Sequence, residues 1–105
     1  MALGLAVALG SCRGEPPPVL AQVPTFDLLR QDGARFGSES LRGKIYVASF
    51  VFTSCTAVCP KLMERMRTIQ ERTRKHGDAV QLISISVDPA NDTPAKLSEF
   101  GARYD

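Results

Sequence analysis

The chain has 105 residues, of which 44% are hydrophobic and 23% are charged, and it contains three cysteines. This length and composition fit one small globular domain, and an odd number of cysteines cannot pair completely within one chain. The net charge of +2 is too small to indicate a basic surface for nucleic acid. We therefore expect no nucleic-acid partner.

Residues 1–12 form an apolar segment that ends in Leu9-Gly10-Ser11-Cys12. The segment is shorter than the roughly 20 apolar residues of a membrane-spanning helix, and its small-residue end is typical of a secretory signal. Leu-Gly-Ser-Cys resembles a bacterial lipobox, which implies lipidation of Cys12 and attachment to the periplasmic, extracytoplasmic face of the cell membrane. The alternative is an uncleaved apolar anchor with an unmodified thiol.

Residues 13–23 contain Pro16-Pro17-Pro18 and show no hydrophobic periodicity, which predicts a proline-rich linker. Residues 24–105 then form the predicted folded domain. Its first feature is Asp32-Gly33, a strong turn signal between two short apolar segments. We expect a small hairpin there, over residues 26–36.

Two nearly continuous apolar runs, residues 44–52 and 79–87, are typical of strands buried on both faces of a parallel sheet. Between them, residues 60–75 have the periodicity of an amphipathic helix, with Pro60 at the favoured first position. A strand, a helix and a strand of these lengths predict a βαβ unit. Residues 91–94 carry the capping residues of a second helix.

The predicted α/β fold has few strands for its class. Natural sheets have about four to six strands, whereas the sequence provides two parallel strands and a small hairpin. We therefore expect a fold that is truncated after the first βαβ unit and the start of the next helix.

Cys55 and Cys59 follow the first apolar strand and precede Pro60. Because proline disfavours helical backbone in the preceding residue, both thiols are predicted in a loop at the carboxyl end of the strand, where open α/β sheets place their sites. A helix start favours thiolates, which attack disulfides and bind soft metals. The pair is thus a candidate redox and metal site. The alternative, a structural disulfide, would close too small a loop to add much stability.

Other side chains near this pair have two interpretations each. Met63 and Met66 offer thioethers for a soft metal or pack in the core. Asp88 is either an outer partner of a metal site or a turn former before proline. His76, the only histidine, lies roughly 24 Å along the helix from Pro60 at about 1.5 Å per residue, so it is not expected to join the site.

Two motifs together resemble the SCO/SenC family of thioredoxin-like proteins. They are Phe52-Thr53-Ser54-Cys55-Thr56-Ala57-Val58-Cys59-Pro60 and Ser86-Val87-Asp88-Pro89-Ala90-Asn91-Asp92-Thr93-Pro94. The resemblance implies a thioredoxin-like fold in which Cys55 and Cys59 bind copper, as Cu(I) or Cu(II), together with a histidine located beyond residue 105. Soft thiolates do select Cu(I).

The same resemblance implies a membrane-tethered assembly factor that delivers copper to the copper-site subunit of cytochrome c oxidase, with thiol–disulfide chemistry as a second role. Two alternatives remain open. Thr56-Ala57-Val58-Cys59-Pro60 resembles the peroxiredoxin pattern, in which Cys59 would attack peroxide, although Phe52 stands where those enzymes carry a proline. The other alternative is a thiol–disulfide reductase, although such enzymes usually have two residues between their cysteines, whereas this chain has three.

Overall fold

The computed structural model describes residues 14–104. Its strands and α-helices are, in chain order, β1 (Asp27–Leu29), β2 (Arg35–Gly37), β3 (Ile45–Val51), α1 (Val58–Thr73), β4 (Val80–Ser86) and α2 (Pro94–Ala102). Short 3-10 helices cover Ser38–Leu41 and Arg74–Ala79. The predicted signal segment and Cys12 lie outside the described residues. Within the described range, no helix has the length and apolar content needed to cross a membrane.

β1 and β2 form the hairpin that the Asp32-Gly33 turn predicts. Across the turn, the Arg30 N–H donates to the Ala34 carbonyl at 2.8 Å, and the Gly33 N–H donates to the Arg30 carbonyl at 2.9 Å. The Asp32 carboxylate accepts from the Ala34 N–H at 3.0 Å. Gly33 has φ of +82°, a conformation that glycine adopts without steric cost. The hairpin prediction is confirmed.

β3 and β4 pair in parallel over seven residues, from Ile45 opposite Val80 to Val51 opposite Ser86. One further hydrogen bond, from the Val87 N–H to the Val51 carbonyl at 2.9 Å, extends the pairing to the carboxyl ends of both strands. The βαβ unit is therefore present as predicted, and the loops after β3 and β4 begin side by side.

The described helices cover one face of this sheet. Val51 is 1% exposed and forms a buried cluster with Cys59 of α1 and Phe100 of α2. Phe50, whose side chain points to the opposite face, is 63% exposed. The prediction that β3 is buried on both faces is therefore wrong for residues 14–104, because both helices pack on the Val51 side.

α1 begins at Val58, which is two residues earlier than predicted. Pro60 is thus the third residue of the helix, and Cys59 lies in the first turn rather than in the preceding loop. The first four N–H groups of a helix have no intrahelical acceptor, so a proline at the third position removes no hydrogen bond. Further along, Met66 is buried and the predicted apolar side of the helix faces the core.

α2 begins as the sequence predicts. Thr93 is its N-cap, and the Thr93 hydroxyl accepts from the Lys96 N–H at 3.3 Å. Pro94 occupies the first helical position. Phe100 is buried, with its ring centroid 5.3 Å from that of Tyr104. The helix thereby places an aromatic side chain directly into the cluster that contains Cys59.

Candidate thiol and metal site

The structure brings Cys55 and Cys59 together where β3 gives way to α1. Cys55 lies in the loop, as predicted, and its N–H donates to the Phe52 carbonyl at 3.1 Å. The Cys59 N–H, free at the start of the helix, donates to Cys55 Sγ at 3.3 Å. Both thiols are free, Cys55 being half-buried and Cys59 only 4% exposed.

The pKa values of the two thiols are shifted in opposite directions. The pKa of Cys55 is lowered, chiefly because the Cys59 thiol donates a hydrogen bond to its sulfur; burial opposes this, and the backbone N–H groups of Cys59, Ala57 and Val58 reinforce it. The pKa of Cys59 is raised, first by burial and then by its hydrogen bond and proximity to Cys55. Cys55 is therefore the more acidic thiol of the pair, and Cys59 is the thiol that holds its proton more firmly.

This asymmetry predicts that limiting iodoacetamide alkylates Cys55 faster than Cys59 at neutral pH, by on the order of tenfold, since the thiolate is the nucleophile. The rate–pH profile of Cys55 should have its midpoint below the ordinary thiol pKa, and that of Cys59 above it. Mass spectrometry of the two peptides measures both profiles. In guanidinium chloride the rates should converge, and preferential labelling of folded Cys59 would contradict the assignment.

Cys55 and Cys59 border an open depression that is also lined by Phe50, Phe52 and the residues between the cysteines. A larger groove of about 740 Å³ runs along α1, β4 and α2, but neither cysteine lines it. We place the candidate site at the smaller depression because both thiols are there. Its apolar rim leaves Cys55 accessible from one side while Cys59 is covered by the core.

A buried carboxylate that the sequence analysis did not single out lies beside the cysteine loop. Asp92 is 7% exposed and accepts hydrogen bonds from the Thr53 N–H at 3.1 Å, from the Thr53 hydroxyl at 2.5 Å and from the Ser86 hydroxyl at 2.5 Å. Burial acts to raise its pKa, but the hydrogen bonds from Ser86 and Thr53 and the charge of Lys96 lower it overall. The sequence signal was an acidic residue close after β4, at the edge where β3 also ends.

The remaining candidate side chains are those of Met63, Met66, Asp88 and His76. Met66 packs in the core, and Met63 packs against the buried cluster while its sulfur accepts from the Ser84 hydroxyl at 3.7 Å. Asp88 forms a turn, since its carboxylate accepts from the Asn91 side-chain amide at 3.0 Å. His76 is exposed in the 3-10 helix after α1. Among residues 14–104, no three His, Cys, Asp or Glu side chains converge to hold a metal.

Comparisons with known proteins place this geometry in a family. The SCO1/SenC family matches residues 15–105. Solved structures of similar chains include a SCO1/SenC family lipoprotein from Bacillus anthracis, which is 38% identical with a TM-score of 0.74 over 79% of this chain and 49% of its own. ScoI from Bradyrhizobium japonicum, solved with copper bound, is 34% identical with a TM-score of 0.75 over 81% of this chain and 54% of its own.

A third structure is that of BsSco, a member of the Sco family of cytochrome c oxidase assembly proteins in which a disulfide switch was identified. It is 39% identical with a TM-score of 0.70 over 78% of this chain and 48% of its own. This chain thus spans about half the length of each of the three proteins. The family match and the shared thioredoxin-like fold agree with the paired cysteine and Asp-Pro motifs. The chain belongs to the SCO1/SenC family.

Proposed function

We propose that this chain binds copper through Cys55 and Cys59 and delivers it to the copper-site subunit of cytochrome c oxidase. The observation that carries the proposal is the pairing of two free thiols, with the Cys59 N–H 3.3 Å from Cys55 Sγ. Copper is bound in the similar ScoI structure, and BsSco belongs to a family of cytochrome c oxidase assembly proteins. Both findings support the proposal.

The donor set suits Cu(I) as a cargo. Thiolates are soft ligands that select Cu(I) over harder divalent ions. The lowered pKa of Cys55 makes its proton easier for a metal ion to displace than the proton of Cys59, whose pKa is raised. A site with few protein ligands, open on the side of Cys55, also allows a partner's ligands to approach and take the metal.

The location outside the cytoplasm is part of the same proposal. A lipid on Cys12 would attach the chain to the membrane, and the exposed, irregular residues 14–23 would serve as the linker to the folded part. The similar Bacillus anthracis protein is a lipoprotein, which supports this arrangement.

A second candidate function is thiol–disulfide exchange with a partner. It is favoured by the asymmetric pair, in which the accessible Cys55 is the nucleophile and the buried Cys59 is placed to displace a mixed disulfide. The disulfide switch of BsSco supports it as well. The peroxidase alternative requires a reactive thiolate at Cys59, but that residue is 4% exposed and its pKa is raised.

Titration of the reduced full chain with Cu(I), in competition with bicinchoninate, tests the proposal. We expect about one copper ion per chain, as a single paired-thiolate site dictates. The oxidised chain, whose sulfurs are joined as a disulfide, is the matched control and should bind no copper at the same chelator concentration. Absence of stoichiometric copper together with rapid peroxide consumption would overturn the proposal in favour of a peroxidase.

A further inference from the structure

We propose that Asp92 is a positioning residue for the cysteine pair, because its carboxylate holds the segment that leads into Cys55 against the carboxyl ends of β3 and β4. The inference concerns the same thiols as the proposed function and rests on it for its biological meaning. It describes the geometry of the copper-free pair, however, and can be tested without copper.

The first support is the number and direction of the hydrogen bonds. Thr53 donates to the Asp92 carboxylate through both its N–H and its hydroxyl, and Ser86 donates from the end of β4. The Asp92 N–H in turn donates to the Asp88 carbonyl at 2.9 Å. One buried side chain therefore joins the loop after β3, the end of β4 and the turn before α2.

The second support is the chemical type of the side chain. An ionised carboxylate offers only acceptors, which matches three donors converging on it. An asparagine amide would direct its own N–H groups at one of those donors. Burying a carboxylate has a free-energy cost unless its hydrogen bonds are satisfied. Apolar side chains could join these segments without that cost.

The third support is the position of Asp92 relative to both thiols. Thr53 is two residues before Cys55, so fixing its backbone limits where the Cys55 sulfur can lie. The other thiol, Cys59, packs in a cluster with Phe100 of α2, and Asp92 immediately precedes the Thr93 cap of that helix. The turn before α2 thus contacts the segment that leads into Cys55, and the body of α2 contacts Cys59. We therefore expect the Cys59 N–H to Cys55 Sγ contact of 3.3 Å to depend on both.

Asp92→Asn in the full, copper-free chain tests the proposal by the dithiol–disulfide equilibrium of the pair. In glutathione buffer, the Cys55–Cys59 dithiol and one glutathione disulfide give the protein disulfide and two glutathione molecules. Two electrons and two protons pass from the protein thiols to glutathione disulfide. Because the network holds the dithiol arrangement, we expect Asp92→Asn to shift the equilibrium constant about tenfold toward the protein disulfide, the size of one charge-assisted hydrogen bond.

Two sets of variants make the result specific. Asp78→Asn removes the same charge from an exposed residue just before the start of β4. In this variant the equilibrium constant should stay within about twofold of the value for the unmodified chain, as expected for a surface change. Thr53→Val removes one donor to Asp92 and should shift the equilibrium as Asp92→Asn does, whereas Thr53→Ser keeps the hydroxyl and should restore it. Thermal unfolding of each variant identifies the temperature range in which all are folded.

An equilibrium constant unchanged within about twofold in both Asp92→Asn and Thr53→Val, or shifted toward the dithiol, would overturn the proposal. If Asp92→Asn does not fold, the Thr53 pair decides. The outcome is separable from that of the proposed function. A chain that binds no copper but shows the shift retains Asp92 as a positioning residue, while copper binding with no shift removes only the role of Asp92.

Discussion

Replacing Cys55 or Cys59 with serine is expected to lower the affinity for Cu(I) by about 100-fold or more. This loss exceeds the one expected when a residue that only orients a metal ligand is removed. A serine hydroxyl stays protonated at neutral pH and is a hard oxygen donor, so it does not replace a thiolate for a soft ion. The remaining single thiolate also cannot chelate. Competition against bicinchoninate, read from the absorbance of its copper complex, measures the loss.

Cys12→Ser is the matched control for these variants, because it removes the same atom from the segment that precedes the linker. We expect its Cu(I) stoichiometry and affinity to equal those of the unmodified chain, whereas membrane attachment should be lost if the Cys12 thiol carries the lipid. Retention of full affinity by Cys55→Ser or Cys59→Ser would show that copper binds elsewhere. Loss of copper in Cys12→Ser would show that the site needs a third cysteine.

The parts of the fold that depend on local chemistry were predictable from the sequence. Asp32-Gly33 specifies a tight turn, and Thr93-Pro94 combines a capping hydroxyl with a preset backbone angle. The structure has the hairpin and α2 where these signals predict them. The β3–α1–β4 order follows equally from the alternation between continuous apolar runs and helical periodicity.

Burial of β3 was not predictable in the same way. An apolar run indicates a strand that packs against something, but the sequence does not tell which face is covered by the helices on either side. Val51 and Phe50 are adjacent and both apolar, yet they are 1% and 63% exposed. Their difference comes from the tertiary position of α1 and α2, which no local pattern encodes.

The site shows the same division. The pairing of Cys55 with Cys59 was predictable from their spacing, whereas the helical position of Cys59 was not. Proline disfavours helical backbone in the residue before it, but the first turn of a helix accepts proline without losing a hydrogen bond. In this chain the second effect prevails. Asp92 was missed for a different reason. Its contact with Thr53 joins residues 39 positions apart, and only the parallel register of β3 and β4 brings them together.

Phe100→Ala is expected to lower the free energy of unfolding by about 3–5 kcal/mol, the usual cost of removing a buried phenylalanine side chain. Phe100 is 4% exposed, belongs to the cluster with Val51 and Cys59, and contacts Tyr104. Urea unfolding of the reduced full chain measures the change, provided that the slope against urea concentration is unaltered.

Leu20→Ala is the control for this change, since it also reduces a large apolar side chain to a methyl group but at a residue that is 93% exposed. Its effect should stay within about 0.5 kcal/mol, as for other surface substitutions. A comparable loss in both variants would mean that the Phe100 cluster is not the core of the folded unit. If Phe100→Ala alone is destabilised, Cys59 should also become more accessible to alkylation, because the cluster that excludes water from its thiol would contain a cavity on the α2 side.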